Sequence, residues 1–589
     1  MFNKKKKKNH IHFNNLELLG LMYGLSSITI IAAKTIQYFK WKKCVKDTLD
    51  KVKVDVNIKK MNEPETETKP EAEAKKAQGI KAKEAVKKDT SQLLGIEAKK
   101  EENFSEWYSQ VITRAELLDY YDVSGCYIIR PYAYALWETI QHYLDTGFKK
   151  IDVQNSYFPI FVPASALKKE EDELHGFEAE VAWVTKSGKS DLALPVAIRP
   201  TSETVMYPAF KNWITSHRDL PLKLNQWCNV VRWEFKHPVP FIRTREFLWQ
   251  EGHTAHTTLA EADKEVYYIL DLYASAYQDM LAVPVIKGIK TKKEQFAGAL
   301  YTTTVEAYIP TNGRAVQAAT SHSLGQNFAK IFDVQYLDEN GNKQYIWQNS
   351  WGFTTRSIGI MIMVHGDDKG LVLPPRVAQY QAVIIPIVMK NSNVEEMNEQ
   401  ARKLCTTLRE KGVRAMVDDG IRNPGWKFNH WEKMGVPLRI ELGPKDMLNK
   451  SVVVVRRDTG VKEPVSWDNL ADYSVAKLEE IQKNLFERAK AVRDSRIADA
   501  KTWPEFMSAL NKKCICRVPW CNETSCEECI KERSAKETQS LSSDDVETGL
   551  TGAAKSLCIP LEHPELEKDA VCFACGKPAK VFCIFGRSY

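Results

Sequence analysis

Residues 229–253 read NVVRWEFKHPVPFIRTREFLWQEGH. Two apolar, β-prone runs, Asn229 to Glu234 and Arg245 to His253, flank a loop that holds His237, Pro238, Pro240 and Arg243. In a strand, alternate side chains share a face. Arg232 is then expected beside Glu234, and Trp249 beside Glu251 and His253. An antiparallel hairpin of this kind lines one surface with guanidinium, carboxylate and aromatic groups. A guanidinium fork suits phosphate oxygens, and a carboxylate accepts from an amine or orients a cation. A cross-strand salt bridge on a solvated face would use the same residues.

Three other elements add to this one. Trp351 to Gly359 reads WGFTTRSIG, with Thr354 or Thr355 as N-cap and Ile358, Met361 and Ile362 at helical spacing. Arg356 then falls in the first turn, where free N–H groups and the helix dipole already favour an anion. An arginine there is unfavourable unless something negative binds. Pro200-Thr201-Ser202-Glu203 opens a helix after a strand at Leu194 to Ile198. In Gln317-Ala318-Ala319-Thr320-Ser321-His322, small side chains let a ligand approach the backbone.

Around these lie strands rich in Trp, Val, Phe and Thr, with Asn312-Gly313 as a hairpin turn. Upstream, residues 131–150 read as an amphipathic helix. A strand from Val153 to Phe161 follows, and Pro159 within it favours a sheet edge or an interface. Pro374-Pro375 marks a boundary. Ala382 to Ile387, a helix at 394–411 and Val413 to Val417 then predict a compact α/β domain with a parallel sheet. Its last helix is expected at Lys477–Asp494, and the polar stretch from Lys531 to Lys555 reads as a loop.

The length of 589 residues suggests three or four domains at ~100–200 residues each. Apolar residues at 43% and charged residues at 27% exclude a collagen-like, wholly disordered or polytopic membrane chain. The net charge of +7 is unevenly placed. Residues 1–100 hold 23 Lys, no Arg and 12 acidic residues, which leaves the remainder slightly acidic. A polyanion must therefore be met by a local patch or by the tail. Residues 1–103 have the composition of an unfolded extension, interrupted by one uncharged segment at 18–33. Sixteen helical residues reach about 24 Å, short of the ~30 Å hydrocarbon core. The expected location is the cytoplasm, with membrane attachment or organelle targeting through this segment as the alternative. No phosphate loop, H-E-x-x-H or G-x-S-x-G motif is present, so nucleotide chemistry needs another cradle.

Nine of the 13 cysteines lie beyond residue 513. Clustering at one end of a large chain points to a metal site in a reducing compartment. Cys521 with Cys526, and Cys572 with Cys575, offer two thiolate pairs for tetrahedral zinc. Cys514, Cys516 and Cys529 compete as ligands, and free thiols are the alternative.

Taken together, Pro159, Arg232-Trp233-Glu234 and Arg356 resemble motifs 1, 2 and 3 of the class II aminoacyl-tRNA synthetases. Pro200–Glu203, Trp249–His253, Thr320–His322 and the closing Phe585-Gly586-Arg587-Ser588-Tyr589 resemble the prolyl-tRNA synthetases of eukaryotic and archaeal type. Leu93 to Asn103 is similar to the linker before the prolyl half of bifunctional glutamyl-prolyl enzymes. Val231 stands where motif 2 usually has Phe, and Ala318-Ala319 replaces a Gly-Gly pair.

The resemblance implies a multidomain α/β protein. It implies a six-stranded antiparallel catalytic sheet over residues 104–375, an α/β anticodon-binding domain over 376–494 and a zinc-binding C-terminal domain over 495–589. It implies ligation of L-proline to tRNA(Pro) through prolyl adenylate, with ATP and Mg²⁺, in a homodimer. Arg232, Glu234 and Arg356 would be catalytic. Arg232, Glu234, Arg243, Phe247, Gln317, Thr320, Thr354 and Arg356 would hold ATP. Thr201, Glu203, Arg232, Trp249, Glu251 and His322 would hold proline, and Cys521, Cys526, Cys572 and Cys575 would bind structural Zn²⁺. Residues 1–103 would add a weak membrane or multi-synthetase contact. Arg232 and Arg356 are 124 positions apart, which leaves no room for an inserted editing domain.

Overall fold

The computed structural model describes residues 95–173, 181–234, 236–389, 392–538 and 551–589. The apolar segment 18–33 and the lysine runs lie outside the described residues. Seven strands build the centre: β1 (Gln154–Asn155), β2 (Leu222–Val231), β3 (Glu246–His256), β4 (Val285–Ile289), β5 (Tyr301–Ile309), β6 (Arg314–Gly325) and β7 (Trp347–Thr354). In spatial order β4-β5-β6-β7-β3-β2, each strand is antiparallel to its neighbour, and β1 adds a short parallel edge. These are the six antiparallel strands the sequence implies. β5, YTTTVEAYI, is β-branched and aromatic almost throughout, which suits a sheet buried on both faces. One face packs on helices Pro131–Lys149, Leu259–Ser275 and Arg356–His365 in a single apolar cluster. Helices Glu203–Trp213 and Asn327–Phe332 close one end around Tyr207, Phe210 and Phe328.

The strand expected at Val153 to Phe161 is broken. Gln154 and Asn155 pair with Leu224 and Asn225, whereas Phe161–Pro163 joins a separate three-stranded sheet. Pro159 has no N–H to carry the first ladder onward. Side chains satisfy the backbone between: Gln226 Oε1 accepts from Phe158 N at 2.5 Å, and Arg199 Nη1 donates to Phe158 O at 2.7 Å.

Beyond Pro374-Pro375, strands Ala382–Pro386, Ala415–Val417 and Leu438–Leu442 run parallel, but Ser451–Arg456 and Lys462–Ser466 add antiparallel pairs. The sheet is therefore mixed. Helices Val394–Glu410 and Leu470–Asp494 pack on it, the second starting seven residues earlier than the sequence suggests.

The C-terminal region supplies β8 (Ile497–Asp499), β9 (Ile515–Trp520), β10 (Lys555–Pro560) and β11 (Val581–Ser588). These extend the catalytic sheet. Ile559 and Pro560 pair with Ile289 and Gly288 of β4, and Arg587 and Ser588 run beside Arg314 and Ala315 of β6. Eleven strands thus form one sheet. At the β5–β6 turn, Gly313 has φ +71° and lies against Lys513, whose Cβ would be 2.5 Å from an added Cβ. The polar stretch expected to loop from Lys531 is helical as far as Glu537, within helix Thr524–Glu537. Its inner face is small, with Ile530 and Ser534 buried and Ser534 Oγ accepting from Ala554 N at 2.8 Å.

Residues 95–103 also depart from expectation: they pack on the folded body. Gln110 Oε1 accepts from Glu97 N at 2.8 Å and Ala98 N at 3.2 Å. Lys100 Nζ donates to Gly366 O at 2.7 Å, at the end of helix Arg356–His365, and Thr311 Oγ1 donates to Glu101 Oε1 at 3.2 Å. Polar docking of this kind leaves no mark in hydrophobic composition. A chain beginning at residue 104 should therefore unfold more easily than one beginning at residue 95, by about 2 kcal/mol for the lost hydrogen bonds. Equal denaturant midpoints would show that the docked segment contributes nothing.

Candidate active site

The hairpin read from the sequence forms, but its first strand ends at Val231. Arg232 N makes the last rung, to Arg245 O at 2.8 Å, and the chain then leaves the sheet. Arg232 Nε donates to Pro200 O at 2.9 Å, and its guanidinium lies 5.6 Å from the Phe247 ring and 5.2 Å from that of Trp249. Arg356 opens helix Arg356–His365 as expected, and its N–H is taken by Thr354 Oγ1 at 3.1 Å. Its Nε donates to Ile242 O at 3.0 Å and its Nη1 to Gln317 O at 2.9 Å. Burial lowers the Arg356 pKa from its ordinary value, and the positive Arg232 and Arg243 lower it further.

Both arginines open onto one cavity of about 300 Å³. Thr201, Glu203, Phe247, Trp249, Glu251, Gln317, Thr320, His322 and Thr354 also line it. Two expected residues do not. Glu234 is exposed, three residues beyond the end of β2, so it does not share a strand face with Arg232. Arg243 is half-buried beside Arg314 and Tyr589, and it acts on the cavity through its charge.

The end away from Arg356 is acidic and densely bonded. Glu251 accepts from Ser202 N at 3.0 Å, Ser202 Oγ at 2.5 Å and Gln226 Nε2 at 3.0 Å, and it meets His253 Nε2 at 3.0 Å. Thr201 Oγ1 donates to Glu203. Burial opposes the charge on both members of the Glu251–His253 pair. Their mutual bond prevails, leaving Glu251 below and His253 above its usual pKa. Glu203, Glu251 and Glu294 make this end of the cavity acidic, which suits a substrate cation. His322 Nδ1 meets Thr302 Oγ1 at 2.9 Å, and burial, with His253 and Arg232, brings its pKa down to about 3. It is therefore neutral at physiological pH.

Strand parity places His253 with Trp249 and Glu251, and all three line the cavity, although the family resemblance gives His253 no role of its own. Phe296 left no such signal. On the loop between β4 and β5, its ring lies 4.9 Å from the His322 ring with 37° between planes. Cys521, Cys526, Cys572 and Cys575 meet in the C-terminal region, with Cys526–Cys572 and Cys521–Cys575 sulfurs each 3.7 Å apart.

Three families match successive parts of the chain: "tRNA synthetase class II core domain (G, H, P, S and T)" over residues 185–365, "Anticodon binding domain" over 381–477, and "Prolyl-tRNA synthetase, C-terminal" over 503–589. The cytoplasmic proline–tRNA ligase of Arabidopsis thaliana is 54% identical over 86% of this chain and 93% of its own length. The proline–tRNA ligase of Encephalitozoon cuniculi is 49% identical over 85% of this chain and 99% of its own length. The chain belongs to the prolyl-tRNA synthetase family. The crystal structure of prolyl-tRNA synthetase from Cryptosporidium parvum, complexed with halofuginone and AMPPNP, superposes with a TM-score of 0.80 at 53% identity, covering 84% of this chain and 100% of that one. The chain is also 54% identical to the bifunctional glutamate/proline–tRNA ligase of Cricetulus griseus, over 84% of its own residues and 33% of that protein. As a class II prolyl-tRNA synthetase, it joins proline to tRNA in an ATP-dependent reaction through prolyl adenylate.

Behind the synthetase cleft, the opposite face of β3 packs tightly against the helical layer. A Cβ on Gly252 would fall 2.2 Å from the Trp351 indole on the neighbouring strand. Trp351 is buried against Phe148, so it cannot swing aside freely. Gly252→Ala should cost about 1–3 kcal/mol of stability. A shifted tryptophan fluorescence spectrum and a lower denaturation midpoint are the readouts, and an unchanged midpoint would mean that this packing yields.

Proposed function

We propose that the acidic end of the cleft holds the proline ring nitrogen and that the arginine end holds MgATP. The observation that carries this reading is the charge layout. The acidic cluster of Glu203 and Glu251 with His253 faces two guanidiniums held by backbone carbonyls. Thr201 and Glu203 receive the secondary ammonium, and Trp249, Glu251 and His322 shape the pocket around the ring. Arg232 takes the proline carboxylate and the α-phosphate, and Arg356 takes the γ-phosphate. Phe247 stacks on adenine, while Gln317, Thr320 and Thr354 border the nucleotide.

The proline carboxylate is ionised at neutral pH, so no protein base is required. One carboxylate oxygen attacks the α-phosphorus, and pyrophosphate leaves with its electron pair. Catalysis is then positioning and charge neutralisation, by Arg232, Arg356 and the Mg²⁺ that arrives with ATP. A tRNA terminal ribose hydroxyl attacks the prolyl carbonyl in the second step, releasing AMP. Arg356→Ala should slow proline-dependent pyrophosphate exchange by roughly 2–4 kcal/mol in activation free energy. Exchange at the parent rate would sink the assignment of Arg356.

We place the tRNA anticodon against an aromatic ladder on the helix Pro424–Lys433. Arg422 lies 5.1 Å from the Trp426 ring, and Trp426 and His430 stack at 4.9 Å with 9° between planes, next to the fully exposed Ile421. Bases stack on such surfaces whatever their sequence. We further propose a homodimer, supported by exposed Tyr157 and Phe161 on either side of Pro159. A cytoplasmic location fits the thiols, since every described cysteine is unpaired.

Zinc is the proposed occupant of the four-cysteine cluster. Zn–S bonds of about 2.3 Å in a tetrahedron put sulfurs about 3.8 Å apart. The observed 3.7 Å fits, and it is far too long for a disulfide. Purified protein should contain about one zinc per chain, and Cys572→Ser should release it and lower stability. Metal analysis that finds none would remove the site.

A further inference from the structure

The loop from Thr291 to Leu300 joins β4 to β5 and closes the acidic end of the cleft. Phe296 and Glu294 line the cavity from it. Phe296 N donates to Thr302 Oγ1 at 3.0 Å, and that hydroxyl fixes His322. The loop folds back on its first residue, with Thr291 O accepting from Glu294 N at 3.1 Å and Gln295 N at 2.9 Å. What holds Thr291 comes from the far end of the chain. Its Oγ1 donates to Glu527 Oε1 at 3.2 Å, and Ser556 Oγ donates to the same oxygen at 2.5 Å. Next to these, Lys293 Nζ pairs with Glu528 at 3.4 Å, and Lys290 Nζ donates to Leu557 O at 2.8 Å. Glu527 and Thr291 are buried, so no water competes freely for their bond.

We propose that Glu527 is a positioning residue for proline recognition: through Thr291 it fixes the loop that sets Phe296 over His322. This rests on the assignment of the acidic end to proline. The C-terminal region then does more than extend the sheet. It determines the shape of the amino-acid pocket from outside, whereas Arg232 and Arg356 take their carbonyl partners from Pro200, Ile242 and Gln317 and owe nothing to Glu527. Loss of Glu527 should therefore act on proline and spare ATP.

The test is proline-dependent pyrophosphate exchange by the full chain, with proline and ATP varied separately. Glu527→Ala and Thr291→Val should each raise the proline KM by roughly three- to tenfold, the size of one lost buried hydrogen bond. The ATP KM should stay within about twofold, and the double variant should be no worse than the more severe single one. Glu527→Gln keeps an acceptor oxygen and should restore the parent proline KM. Thr291→Val is nearly isosteric and gives the answer if Glu527→Ala does not fold. An unchanged proline KM, or proline and ATP constants rising together, overturns the proposal. Glu203→Gln separates the two levels of argument. If it weakens proline and Thr291→Val does not, the coupling alone fails. If Glu203→Gln leaves proline unaffected, the pocket assignment fails as well.

Discussion

Like charges crowded in and around one cleft are the constraint on which the rest of the structure depends. Arg232, Arg243 and Arg356 repel one another, and burial makes the repulsion stronger than in water. A carboxylate partner would relieve it but would also cancel the charge. The chain instead gives Arg232 and Arg356 backbone carbonyls, from Pro200, Ile242 and Gln317. A carbonyl orients a guanidinium without neutralising it. The positive potential stays available for a polyphosphate, and the energy of bringing the arginines together is recovered when that anion binds.

Carbonyls hold guanidiniums in place only if they cannot move, and the need for rigidity explains much of the architecture. Gln317 is on β6, between β5 and β7, and the end of β11 lies beside the start of β6 at Arg314. Helix Arg356–His365 is braced at both ends. Arg356 reaches into the cleft, and about 15 Å away the carbonyls of Val364 and Gly366 receive Lys100. A cation there complements the negative end of the dipole. Burial pulls the Lys100 pKa down to about 8, so its charge is retained against desolvation. One residue past the helix and Gly366, Asp367 takes Arg457 in a fork at 2.6 and 2.7 Å, which ties in the anticodon-binding domain. The same helix thus joins the ATP cleft, the docked segment at 95–103 and the anticodon-binding domain.

Period-two parity made one wall of the site legible in the sequence. Trp249, Glu251 and His253 line the cavity together because β3 is regular from Glu246 to His256. The same rule failed at Glu234, since β2 stops at Val231 and parity has no meaning in a loop. Arg356 was legible for a different reason, as a cation at the wrong end of a helix. Phe296 was not, because a loop side chain is placed by its anchors, and the anchor at Glu527 is 236 residues from Thr291. Residues 95–103 and helix Thr524–Glu537 were missed on composition. Both are polar, and both are held by hydrogen bonds that hydrophobic patterning does not register.

The neutral His322 completes the electrostatic argument. A protonated imidazole beside the acidic end would offset its carboxyl groups and repel a secondary ammonium. Burial, His253 and Arg232 all act against protonation, and Thr302 holds Nδ1. Two histidines in one pocket are therefore shifted in opposite directions: His253 shares a bond with Glu251, whereas His322 meets a hydroxyl. Proline is a zwitterion, and in the proposed placement Arg232 stands where its carboxylate meets the nucleotide. Activation removes the carboxylate's charge by forming the acyl phosphate, but the α-phosphate retains its own. Arg232 therefore keeps an anionic partner through the step, and no proton needs to move to or from the protein. A site of this kind depends on placing fixed charges accurately, which is why so much of the chain is devoted to holding two guanidiniums still.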